Sequence, residues 1–73
     1  MNENDTELVP RSLKRGLLVM ESVAREPGGL TYTEIQQHLG LPKMTVSRLL
    51  NALCALEYLR KDDGGQYRRG LRF

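Results

Sequence analysis

The sequence predicts a mainly α fold with a small β-hairpin, a winged helix-turn-helix of three helices plus a wing. Three observations predict it. Thr31-Tyr32-Thr33-Glu34 spells a capping box, and Gly40 stops the helix that it opens. Gly40-Leu41-Pro42 then leaves only a short turn before a second periodic segment, the spacing of a helix-turn-helix. Finally, Asp63-Gly64-Gly65 separates Leu59-Arg60-Lys61-Asp62 from Gln66-Tyr67-Arg68-Arg69, which marks a hairpin.

Residues 1–11 read as a disordered acidic lead-in, with Glu3, Asp5 and Glu7 and no base before Arg11. The domain proper is expected over residues 12–70. A first helix over about residues 13–26 would be capped by Ser12, with Leu13, Leu17, Met20 and Ala24 on one stripe and Val23 beside it. Pro27-Gly28-Gly29 ends it. Leu18 falls on the opposite face, either as an isolated exposed apolar residue or as a contact with a second protomer. Leu30-Thr31 can add one short edge strand. Thr31 caps the second helix, which runs to Leu39, and Leu30 and Ile35 sit where a hydrophobic staple forms. Pro42 belongs at the first position of the third helix, which runs to about Glu57. Helical phase points Val46, Leu49, Leu50 and Leu53 to one side of it and Met44, Ser47, Arg48 and Asn51 to the other. The wing alternates poorly between apolar and polar, so its prediction rests on the turn.

A chain of 73 residues buries only about 60% of its unfolded surface, which argues against a deep catalytic cleft. Charge is uneven. From Gly40 onward there are seven bases against three acids, either a footprint for a polyanion or a solvated basic surface. Cys54 is the only cysteine, so no internal disulfide and no zinc spacing can form, as expected in a reducing cytoplasm. No apolar run reaches the roughly 18 residues of a membrane span, and the start lacks the bases of a signal peptide. There is no Cys–His or Ser–His–Asp grouping and no glycine-rich phosphate loop. An enzyme, a metal centre and a cofactor are therefore not expected, and His38 is a lone surface histidine.

The partner these features point to is double-stranded DNA. Arg48 can pair its fork with guanine, at about 1–3 kcal/mol of discrimination, or meet phosphate or solvent instead. Asn51, one turn on, can match adenine. Ser47 can bond a base edge or a phosphate, and Met44 can touch a thymine methyl. Lys43 and Thr45 lie in the first turn, where the helix dipole favours an anion. Thr33 is a weaker phosphate candidate. Arg60, Lys61, Arg68 and Arg69 crowd the hairpin and suit phosphate contact, and Gln66 can reach the minor groove. Alternatively, charge keeps an exposed sheet edge soluble. The competing function is a winged helix that docks on another protein. Against it, the outer face of the third helix carries Lys43, Ser47, Arg48 and Asn51 rather than apolar or acidic groups.

Ser12-Leu13-Lys14-Arg15-Gly16-Leu17, Gly28-Gly29-Leu30-Thr31, Glu34-Ile35, Leu39-Gly40-Leu41-Pro42-Lys43 and Thr45-Val46-Ser47-Arg48-Leu49-Leu50 resemble the N-terminal domain of IclR-type bacterial transcriptional regulators. Leu56-Glu57-Tyr58-Leu59 and Gln66-Tyr67-Arg68-Arg69-Gly70-Leu71-Arg72 extend the match over about residues 11–73. The resemblance implies a third helix that reads operator DNA. It also implies a homodimer or tetramer of the full-length protein on a pseudo-palindromic site, and a further domain that binds a small-molecule effector. Residues 71–73 would begin the linker to that domain. Two positions depart from the pattern. Gln36 and Met44 stand where small residues are usual, the first bearing on helix packing and the second on target preference.

Overall fold

The computed structural model describes residues 8–73. Helix α1 spans Arg11–Ala24, strand β1 Leu30–Thr31, helix α2 Tyr32–Leu39, helix α3 Lys43–Ala55, and strands β2 and β3 Leu59–Lys61 and Gln66–Arg69. The strands pair antiparallel in the order β1-β3-β2. Leu30 and Lys61 flank Tyr67 from either side, and Arg60 stands opposite Arg68. Leu30-Thr31 is thus the edge strand the sequence suggested. Most of the expected lead-in lies outside the described residues, and Arg11 belongs to α1.

Two prolines open helices in the same way, and both correct the expected boundaries. Pro10, not Ser12, is the N-cap of α1, and no side chain caps it. Pro42 is the N-cap of α3 with φ −60° and ψ 150°, one position before the predicted first helical residue. A proline cannot donate, but its carbonyl can start the ladder. Lys14 N–H donates to Pro10 O and Val46 N–H to Pro42 O, each at 3.1 Å.

Helix α2 carries the predicted capping box. Glu34 N–H donates to Thr31 Oγ1 at 3.2 Å, and Thr31 N–H donates to Glu34 Oε1 at 2.9 Å. The Thr31 N–H holds the Glu34 carboxyl below its ordinary range. Gly40 closes the helix at φ 64°, a left-handed conformation that glycine adopts without strain. The other two helices end earlier than expected. Helix α1 stops at Ala24, where Arg25 and Glu26 fold their N–H groups back onto Glu21 O and Val23 O. Helix α3 stops at Ala55 instead of Glu57 because the chain turns left-handed there. Glu57 has φ 68°, its N–H reaches Cys54 O, and Tyr58 N–H reaches Leu53 O. That pair of bonds is a Schellman motif with glutamate in the place usually held by glycine.

Among the described residues, eight buried side chains form the core: Val19, Val23, Leu30, Ile35, Val46, Leu50, Leu59 and Tyr67. This corrects the stripe expected on α1. Leu13 and Leu17 remain 54% and 47% exposed, and Val19 faces inward instead, together with Val23, which is buried as expected beside the stripe. The reason is position along the helix. Only the C-terminal half of α1 crosses the core. Its N-terminal half runs beside α3, where Leu13, Leu17 and Met20 join Leu49, Leu53 and Leu56 around an open apolar groove of about 600 Å³. Leu18 is exposed, as its helical phase indicated.

Candidate nucleic-acid interface

Helix α3 has the two faces read from its phase. Val46 and Leu50 are fully buried, and Leu49 and Leu53 pack against the core. Met44, Arg48 and Asn51 are exposed on the other side, with Lys43 exposed in the first turn. Met44, where a small residue is usual, is 64% exposed and therefore costs no packing. Thr45 and Ser47 are half-buried, and Thr33 is exposed at the start of α2. This surface offers hydrogen-bonding groups and two cations on a rigid helix.

The position of that helix is set by two side chains of α2. Gln36 Nε2 donates to Leu41 O at 3.3 Å, so the long residue bridges the turn where a small one would let the helices close. Tyr32 Oη donates to Lys43 O at 2.7 Å and accepts from Ser47 Oγ at 3.3 Å. The capping-box pattern gave Tyr32 no role of its own. Helical phase could not reveal its role, because both partners lie on the next helix. Ser47, by contrast, is a predicted site residue whose hydroxyl already has an internal partner.

The basic cluster of the wing divides. Asp62 organises the turn: Oδ1 accepts from Gly64 N–H and Gln66 N–H at 2.9 Å each, and Oδ2 accepts from Arg68 Nε at 2.6 Å. The bond from Arg68, then that from Gln66 N–H, holds the Asp62 carboxyl below its ordinary range. Arg68 also donates to Pro27 O and to Gln66 Oε1. Directly opposed like charges destabilise a ladder, and Asp62 offsets the Arg60–Arg68 opposition. Arg69 donates to Ala24 O at 2.9 Å, at the carbonyl end of α1 where the dipole favours a cation. Its guanidinium lies 5.4 Å from the Phe73 ring. Arg60 and Lys61 are exposed, with Lys61 Nζ 5.7 Å from the Tyr67 ring. Of the four predicted bases, Arg68 therefore braces the turn of the wing, exposed Arg69 ties the wing to the end of α1, and Gln66 is tied to the base of the turn.

Other expectations concern residues away from this surface. His38 is exposed, and Cys54 is half-buried with its thiol pushed up by burial. Among the described residues, no group of three or more His, Cys, Asp or Glu could hold a metal ion, and no helix is long and apolar enough to cross a membrane.

Comparison with known proteins gives one answer. A family model described as the IclR helix-turn-helix domain matches residues 12–63. Over 51 residues the chain is 37% identical to the transcriptional repressor IclR of Escherichia coli (strain K12), a match that covers 70% of this chain and 19% of that protein. The acetate operon repressor of Salmonella typhimurium matches with the same identity and coverage. An IclR family transcriptional regulator from Brucella abortus superposes with a TM-score of 0.77 at 38% identity, covering 94% of this chain and 27% of that one. The repressor BlcR of Agobacterium tumefaciens superposes with a TM-score of 0.76 at 31% identity, covering 84% and 25%. The chain thus spans about a fifth of the length of the curated relatives it matches.

Proposed function

We propose that this chain, which belongs to the IclR helix-turn-helix domain family, binds double-stranded DNA sequence-specifically as the DNA-binding part of a bacterial transcriptional regulator acting in the cytoplasm. The observation that carries the reading is the division of α3. Its inner face is locked by Val46 and Leu50, and Met44, Arg48 and Asn51 stand out from a helix that cannot roll. Such a helix fits the major groove, where Arg48 reads guanine and Ser47, Met44 and Asn51 read neighbouring base edges. Lys43, Thr45 and Thr33 hold the backbone near the first turn, and Arg60 and Lys61 supply the wing's phosphate contacts. Arg68, Arg69 and Gln66 serve the wing by holding its shape.

From the resemblance of its sequence to IclR-type regulators, we further propose that the full-length protein forms a homodimer or tetramer on a pseudo-palindromic operator and binds a small-molecule effector through a further domain. Selection of bound sites from a random duplex pool tests the reading. It should return a half-site, and Arg48→Ala should erase preference at one guanine. If the folded domain binds no duplex above its non-specific level but binds a protein in a salt-insensitive way, the reading is wrong.

A further inference from the structure

We infer that Ser47 meets the duplex as a hydrogen-bond acceptor only, and that Tyr32 is the positioning residue that imposes this polarity. The inference rests on the reading of α3 as a DNA-recognition helix. A tyrosine hydroxyl has one proton to donate, and so does a serine hydroxyl. The Tyr32 proton goes to the Lys43 carbonyl at 2.7 Å, since a carbonyl has none to give. The Tyr32 oxygen can then meet Ser47 Oγ, 3.3 Å away, only by accepting. Ser47 therefore turns its single proton inward and leaves its lone pairs for whatever lies outside.

A helical serine otherwise tends to donate to the carbonyl four residues back. For Ser47 that carbonyl is Lys43 O, which Tyr32 already occupies alongside the helical N–H bond. Both hydroxyls belong to half-buried residues, Tyr32 at the start of α2 and Ser47 in the second turn of α3. The arrangement is thus part of the helix junction, formed before any ligand arrives.

In the major groove, adenine N6 and cytosine N4 carry amino donors, whereas guanine N7 and O6 and thymine O4 accept. Phosphate oxygens accept as well. Ser47 therefore pairs with an amino group of adenine or cytosine, and disfavours guanine, thymine or phosphate at the same spot.

Duplexes obtained by selection test this with the wild type, Ser47→Ala and Tyr32→Phe, each checked for native circular dichroism and melting. One base position should lose its preference in Ser47→Ala, and that base should be adenine or cytosine on the contacted strand. Deleting its amino group, with purine for adenine or 2-pyrimidinone for cytosine, should weaken wild-type binding about three- to tenfold and leave Ser47→Ala unchanged. Tyr32→Phe releases the Ser47 proton, so discrimination against guanine or thymine at that position should fall by a similar factor. A merely structural role for Tyr32 would lower melting without altering base preference. A Ser47-dependent guanine or thymine, equal loss in wild type and Ser47→Ala on amino deletion, or no responding position would overturn the inference. Should Tyr32→Phe fail to fold, the amino-deletion comparison decides alone. A wild type that binds no duplex sinks the underlying reading, and a wild type that binds with the Ser47→Ala pattern unaltered sinks only this inference.

Discussion

The same glycine-to-alanine change should move stability in opposite directions at two places in this chain. Gly16 lies inside α1, and a Cβ built there meets nothing within 4 Å. Alanine should stabilise by about 0.5–1 kcal/mol, because glycine in a helix interior loses more backbone freedom on folding. Gly70 follows β3, where its N–H donates to Tyr58 O at 2.9 Å and closes the wing onto the end of α3. A Cβ there would lie 2.5 Å from Glu57 O and 2.9 Å from both Leu59 N and Leu59 C. Ordinary contact is about 3.5–4.0 Å, and these are backbone atoms that cannot rotate aside. The cost should reach the upper end of overpacking, about 3 kcal/mol. For a domain of this size each 1 kcal/mol shifts Tm by about 4–8 °C. Thermal unfolding followed by circular dichroism should therefore show a rise of about 2–8 °C for Gly16→Ala and a fall of about 12–24 °C for Gly70→Ala. A Gly70→Ala domain melting within about 3 °C of the wild type, or a Gly16→Ala domain melting lower, would refute the reasoning.

If the wing touches phosphate through Arg60 and Lys61, alanine at either should flatten the dependence of log affinity on log salt by about 0.9. Arg68→Ala should lower Tm and leave that slope unchanged, and the reverse pattern would assign the contacts to the wrong bases. Because the folded Asp62 carboxyl titrates below its unfolded counterpart, its stabilisation is full above the unfolded value and is lost as pH falls through the folded one. Melting measured from pH 6 to pH 2 should show Asp62→Asn removing part of the decline below about pH 4, and parallel curves would count against it. Burial raises the Cys54 thiol, so iodoacetamide at pH 8 should alkylate the native protein more slowly than the urea-unfolded chain. Equal rates would contradict that placement.

Where a local rule had a local cause, the sequence was enough. Thr31 and Glu34 sit three residues apart and make the capping box from their own side chains, and Gly40 takes the one conformation that its stop requires. The two faces of α3 followed from phase alone. Helix ends set by Pro10 and Pro42 shifted by one or two positions, and the larger misjudgements depended on a partner distant in sequence. Leu13 and Leu17 satisfy helical periodicity as well as Val19 and Val23 do. Only the length of α1 that crosses the core separates them. Glu57 gave no sign of a helix stop, because the left-handed turn there is held partly by Arg72 N–H, which donates to Glu57 O at 2.8 Å. Within the candidate site, Arg60 and Arg68 look alike as letters. The distinction arises because Arg68 shares a turn with Asp62, whose side chain draws it in.

The core takes one or two side chains from every element: Val19 and Val23, Leu30, Ile35, Val46 and Leu50, Leu59, and Tyr67. No element can leave without opening the space that all the others share. Amide exchange in the wing strands should accordingly proceed at the rate of global opening, as a single cooperative unit. A body of this kind contains no hinge between its third helix and its wing. On the proposed function, any bending that the fit requires falls to the duplex. Targets whose central steps deform cheaply would then be favoured even at base pairs the protein never touches.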